Sequence, residues 1–104
     1  MPGIRLSDRS EDVDIAALSQ WWAHGRSLES TEHIVHNSIN FTAIDETSGE
    51  QVGYGRAVTD RATFAWLTDV VVTRSRRGQG IGTALLGFAM QCFSAVSRIA
   101  PIRP

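Results

Sequence analysis

Trp66-Leu67-Thr68-Asp69-Val70-Val71-Val72-Thr73-Arg74-Ser75-Arg76-Arg77-Gly78-Gln79-Gly80-Ile81-Gly82-Thr83-Ala84-Leu85-Leu86 is the stretch whose reading decides the fold. Val70-Val71-Val72 is a β-branched apolar run suited to a buried strand. A basic polar connector, Thr73 to Arg77, follows it. Gly78-Gln79-Gly80-Ile81-Gly82 then opens a long uncharged segment whose apolar residues recur at helical spacing. Glycines there permit unusual dihedrals and keep side chains away from an approaching ligand. The first turn of the helix leaves N–H groups unpartnered, and the helix dipole favours negative charge at that end. Strand, glycine turn and helix start together describe a cradle for phosphate or diphosphate.

Two well-known cradles do not fit. A P-loop needs Lys followed by Ser or Thr after its last glycine, and this chain contains no lysine. A dinucleotide fingerprint needs G-x-G-x-x-G and an acidic residue about 20 positions later. Here the spacing is G-x-G-x-G, and no Asp or Glu follows Asp69.

Arg77-Gly78-Gln79-Gly80-Ile81-Gly82, preceded by Val72 and followed by Ala84-Leu85-Leu86, resembles the acetyl-CoA signature of the GNAT acyltransferase superfamily. Arg77, Gly80 and Gly82 fill the fixed places of its Q/R-x-x-G-x-G/A pattern. The resemblance extends upstream through Val52 to Ala57 and Phe64 to Asp69, and is closest to small bacterial members over roughly Asp12 to Leu86. It implies an α+β fold: an antiparallel meander, two N-terminal helices and a long helix after the glycine turn. It further implies transfer of an acetyl group from acetyl-CoA to a primary amine of a small molecule or peptide, without a metal. On this resemblance, cofactor-binding falls to Val70, Val72, Arg77, Gly78, Gln79, Gly80, Ile81, Gly82 and Thr83. A main-chain N–H at Val70 or Val71 would face the thioester oxygen as charge builds there.

The 104 residues suffice for one domain with a modest core, spanning 1–104. Hydrophobic and charged contents of 42% and 20% are those of a globular chain. The net charge of −1 hides an asymmetry. Residues 1–69 set five arginines against all eleven acids, a balance of −6; residues 70–104 hold five arginines and no acid. A basic final third suits an anionic cofactor there. Without interleaved aromatics it is thin support for nucleic acid, and no nucleic-acid partner is expected. Cys92, the one cysteine, falls among apolar residues and reads as a small buried hydrophobe. The N-terminus has no apolar signal region. The uncharged run 78–97 is broken by glycines, glutamines and serines, so no membrane span is expected. Cytoplasmic placement is the expectation.

Ile4-Arg5-Leu6 alternates as a short strand, and Ser10 before Glu11, Asp12 and Asp14 suits the start of a helix over about Asp12 to Trp22. Trp21 and Trp22 at its end are most simply core. The resemblance, however, puts the connection between the first two helices beside the acceptor site, where Trp21, Trp22, His24 and Glu29 could bind substrate. A second helix, about Ser30 to Asn37, sets His33 and His36 beside Glu29 and Glu32. That pattern is more simply a solvated face than a metal site. Ile39 to Asp45, Val52 to Val58 and Phe64 to Val72 alternate as three strands on short turns, with Val52, Tyr54, Arg56 and Val58 on one face.

Asp69 is the candidate base for the acceptor amine, as a carboxylate alternating with Leu67 and Val71 on an apolar strand. Pairing with Arg56 or Arg61 is the competing reading. After the motif helix the family continues with a parallel strand, a helix and further strands, including a tyrosine that protonates the leaving thiolate. Here only Ile99 to Arg103 could form a scrap of strand, and the single tyrosine is Tyr54. A free strand edge and an apolar helix side, Leu86, Met90 and Phe93, would then call for a homodimer or higher assembly.

Overall fold

Aspartate-centred turns fold the middle of the chain into a meander. In the computed structural model, which describes residues 3–22, 25–93 and the main chain of 99–101, strand β2 (Ile39–Asp45) turns into β3 (Gln51–Thr59). Asp45 Oδ1 accepts from the N–H groups of Thr47 at 2.8 Å and Ser48 at 3.2 Å. β3 turns into β4 (Ala65–Val72) around Asp60, whose carboxylate accepts from Ala62 N and Thr63 N. Side-chain mimicry of a backbone turn is what Asp is favoured for at such positions. Strand β1 (Ile4–Ser7) pairs antiparallel with β2. A fifth strand, β5 (Ile99–Pro101), runs parallel to β4, with Ala65 opposite Ile99 and Leu67 opposite Pro101. The scrap of strand expected at the C-terminus is therefore the start of a parallel edge, in the order β1-β2-β3-β4-β5.

Helices cover both faces. Helix α3 (Ile81–Cys92) lays Ile81, Leu85 and Ala89, then Phe93, on Phe41, Ala43, Ala57, Ala65 and Leu67. The Phe41 ring meets Phe88 and Phe93 edge-on, at 5.9 and 5.7 Å between centroids. The fit depends on Gly53: a Cβ there would lie 2.8 Å from Leu85 Cδ1 and 2.9 Å from Ile81 Cγ2. Helices α1 (Ile15–Trp21) and α2 (Leu28–His36) pack together near the other face. There Leu18 and Val35 bury Tyr54, with Val13, Ile15, Trp21, Trp22 and Val71 around them.

Four expectations are corrected. The first helix starts at Ile15, capped by Asp14 accepting from Ala17 N, because Ser10–Asp12 closes a separate 3-10 turn. The second starts at Leu28, where the Ser27 hydroxyl accepts from Ser30 N at 3.0 Å. Val52 does not share a face with Tyr54: the register slips between Ala43 and Ile44, so Val52 joins the α3 core. A bulge of this kind moves a side chain to the other face, and alternation alone cannot reveal it. Cys92 is exposed, 4.0 Å from an Asp8 carboxylate oxygen, rather than buried. The helical spacing of Ile81, Leu85, Phe88 and Cys92 continues in the sequence to Val96, which lies outside the described residues. Of the second apolar face of α3, Phe93 is buried but Leu86 and Met90 are 41% and 47% exposed.

Leu85 is 1% exposed and sits where α3 meets Gly53. Leu85→Ala is expected to cost about 2–5 kcal/mol of unfolding free energy in urea titration, with far-UV circular dichroism unchanged before the transition.

Candidate functional site

β4 leads through a 3-10 turn, Arg74–Arg76, into the glycine segment and α3. Gly78 and Gly80 hold φ of +80° and +87°, which β-carbon-bearing residues rarely adopt. Gly80 is the N-cap of α3, and no side chain caps the helix there. The first helical bond at this end runs from Ala84 N to Gly80 O at 3.0 Å. Among the described residues, no protein acceptor takes the N–H of Gly78, Gln79, Gly80, Ile81, Gly82 or Thr83. A helix start left in that state is suited to an anion.

The arginines beside it divide into two kinds. Arg76 is committed: its Nη1 donates to Asp45 Oδ2 at 2.7 Å and its Nε to Gln79 Oε1 at 3.0 Å. That guanidinium, with the Ser48 and Thr47 N–H groups, holds the Asp45 carboxyl below the usual carboxylate range. The bridge fastens the glycine turn to the end of β2 and spends the charge of Arg76 internally. Arg77 is exposed and donates through Nε to Val72 O at 3.1 Å. Among the described residues no carboxylate pairs with it. The carbonyl of Val72, one of the residues expected on the cofactor side, is thus engaged by the motif's own arginine.

β4 is not regular where the site begins. Tyr54 faces Val71 and Arg56 faces Thr68, so Asp69 and Val70 stand opposite Gly55 alone. Asp69 has φ of +55°, a left-handed conformation that Asp tolerates better than most residues but that costs about 1–3 kcal/mol. This bulge corrects the expected alternation: Leu67 joins the α3 core, Val71 the α1–α2 side, and Asp69 follows neither. The Asp69 carboxylate lies 2.6 Å from Arg56 Nε, so of the two readings offered for it the ion pair is the one observed. On its outer edge β4 pairs with β5 from Ala65 to Leu67 among the described residues. Against the bulge lies a small apolar hollow of about 10 Å³, lined by Phe41, Gly55, Leu67, Val70, Leu85 and Leu86 among others.

Of the expected acceptor residues, Trp21 and Trp22 lie in the cluster around Tyr54 that also takes in Val71. Trp22 meets the Tyr54 ring edge-on at 6.3 Å, and the Arg26 guanidinium lies 4.0 Å over it. Glu29 lines a wide, open groove of about 740 Å³ with Arg26, Ser30, Glu32, His33, Ile34 and His36. No residue of β4 or of the glycine turn borders that groove. His24 lies outside the described residues. Among the described residues no three His, Cys, Asp or Glu side chains cluster to hold a metal. No helix there is long and apolar enough to cross a membrane.

Sequence reasoning missed the asymmetry between Arg76 and Arg77, and missed Gly55 opposite the bulge and Ser38 as an acceptor for Arg56. Gly55 carried a signal, since a glycine inside a strand marks a bulge or a close approach. Ser38 carried none.

An α+β sheet whose bulged strand feeds an uncapped helix through a glycine turn is an architecture shared with known acetyltransferases. The acetyltransferase (GNAT) family profile matches residues 7–98. A Xanthomonas campestris protein assigned to the GNAT acetyltransferases is 29% identical and superposes with a TM-score of 0.82, over 100% of this chain and 78% of its own. A GNAT family protein from Streptococcus pneumoniae, at 23% identity and TM-score 0.75, covers 97% and 74% respectively. Glucosamine-6-phosphate N-acetyltransferase from Arabidopsis thaliana, 18% identical with TM-score 0.73 over 97% and 82%, shows the shared fold. No match among curated proteins was found. The chain belongs to the GNAT acetyltransferase family, and acyl transfer is its class of chemistry.

Tyr54 is fully buried and donates to Asn40 Oδ1 at 2.6 Å. Burial pushes its phenol well above the ordinary value of about 10. A neutral phenol in the folded state therefore stabilises fully below pH 10, and that contribution fades as pH rises and the unfolded chain ionises first. Tyr54→Phe should unfold more easily at pH 7, by about 1–2 kcal/mol. In denaturant titrations that deficit should shrink between pH 10 and 12, a window in which this lysine-free chain has no other tyrosine to titrate.

Proposed function

We propose that the chain moves an acetyl group from acetyl-CoA to a primary amine of a small molecule or peptide by direct attack. The observation that carries this reading is the row of amides from Gly78 to Thr83 with no protein acceptor, at a helix start that no side chain caps. The residues fit the group: a Cβ at Gly78 would meet nothing, Gly80 offers no capping side chain, and Arg77 has no carboxylate partner among the described residues. On this reading the N–H groups of Gly78, Gln79, Gly80, Ile81, Gly82 and Thr83 donate to the diphosphate, and Arg77 adds charge. When bound, acetyl-CoA supplies the acyl group as an activated thioester. The main chain at Val70 and Val71 is then placed to donate to the carbonyl oxygen as negative charge develops, and Val72 flanks the arm. Trp21, Trp22, His24 and Glu29 are assigned to the acceptor side. A homodimer belongs to the same reading, supported by exposed Val70, Leu86 and Met90.

A second reading, a CoA-binding or assembly module without turnover, is favoured by one observation. Tyr54, the only tyrosine, is committed to Asn40 inside the α1–α2 core and does not serve as a proton donor to a thiolate.

CoA is expected to raise the melting temperature, and thiol should be released from acetyl-CoA with some member of a panel of primary amines. Arg77→Ala should weaken CoA binding about three- to tenfold by calorimetry, with the melting temperature of the free protein little changed. Stabilisation without turnover on any amine selects the second reading; no affinity for CoA sinks both.

A further inference from the structure

The ion pair between Arg56 and Asp69 is more than a neutralised pair of charges. Both side chains are about four-fifths buried, and they meet at the position where β4 leaves its register. Arg56 sits on β3 opposite Thr68, immediately before the bulge. Its Nε donates to Asp69 Oδ2 at 2.6 Å, while its Nη1 donates to Ser38 Oγ at 3.1 Å. One guanidinium thereby links the bulge in β4 to the residue just before β2. Its planar fork suits two acceptors held at fixed angles.

The opposite side of the bulge is shaped to match. A Cβ on Gly55 would come 3.3 Å from Val70 Cγ2, so the Val70 side chain lies over the place a Gly55 side chain would occupy. Asp69, between these two constraints, holds φ of +55°. A left-handed residue in a strand persists only where its surroundings over-determine it. Here Arg56 grips its carboxylate, and Gly55 makes room for the residue after it.

We propose that Arg56 and Asp69 are positioning residues: together they hold the β4 bulge in the form that presents the Val70–Val71 main chain to the acyl group. The inference rests on the acyl-transfer reading above and gives Asp69 a different task from that of a base. Its carboxylate is wanted as an acceptor for Arg56 in a left-handed backbone, not as an acceptor for the proton of the amine. Asparagine can do the first, since it tolerates that conformation and keeps a carbonyl oxygen, but not the second.

Two measurements on the full chain test it. Hydrogen exchange of peptides spanning 65–73 reads the bulge without any ligand. Calorimetry with acetyl-CoA and with S-ethyl-CoA, a thioether lacking the carbonyl, reads what the bulge does for the acyl oxygen. The wild type should bind acetyl-CoA about five- to tenfold more tightly than S-ethyl-CoA, the worth of one good hydrogen bond. Arg56→Met and Asp69→Ala should bring that ratio to about one with S-ethyl-CoA affinity kept within about twofold, and exchange over 65–73 should rise at least about tenfold while α3 peptides stay unchanged. Asp69→Asn should retain both the ratio and the protection. Unchanged exchange in Arg56→Met, or Asp69→Asn behaving like Asp69→Ala, overturns the proposal. If exchange responds as expected but the wild type binds neither ligand, the clamp holds the strand and the acyl-transfer reading is the part that fails, taking the positioning role with it.

Discussion

A helix that begins without a cap leaves its first amides looking for acceptors, and α3 begins in that way. Serine caps α2 and aspartate caps α1, each accepting a hydrogen bond from the first turn. α3 starts on a left-handed glycine with no side chain to offer. The same chain therefore seals two helices and leaves the third open, at the point where β4 delivers it. The difference is local chemistry: Asp14 and Ser27 carry oxygens, and Gly80 carries nothing. Among the described residues, no side chain caps the partial positive charge at this helix end.

Electrostatics around that opening is managed rather than merely basic. The final third of the chain carries arginines and no acid, and a count would treat them as equivalent. Arg76 reaches back to Asp45 and forward to Gln79, so it works as a strut between the β2–β3 turn and the glycine turn. Arg77 lies along the end of β4, bonded to a carbonyl, with its charge not cancelled by a described carboxylate. A strut and a free charge one residue apart divide the labour: one shapes the turn and the other remains available to an anion.

Much of this was legible from residue order because the deciding features are local. Periodicity placed the three meander strands and the helix after the glycines, and the turn residues separated them. The missing lysine, the glycine spacing and the missing acid sufficed to set aside the other phosphate cradles. What escaped was set by contacts distant in sequence. The face of Val52 depends on a register slip against Ala43 and Ile44, which alternation within one strand cannot encode. The start of α1 depended on Ser10–Asp12 closing its own short turn, with the Asp12 carboxylate taken by Ser7 and Arg5. The strand at Ile99–Pro101 was legible, but its parallel pairing with the edge of β4 was not.

Asp69 shows why such distant contacts change chemistry as well as geometry. Read along the strand, it is a lone carboxylate among valines, which is the setting of a tuned base. Read across the sheet, it is the acceptor of Arg56, in a bulge packed closely over Gly55. The first description needs a desolvated carboxylate with nothing to bind, and the second supplies a guanidinium at hydrogen-bonding distance. Those are opposite demands on one group. The backbone strain at φ of +55° favours the second, since a carboxylate held in place can maintain that conformation whereas a free one has no means to do so. On the positioning proposal, the side chain that reads as a reagent along the strand acts as a fixture, holding the main chain beside it out of register.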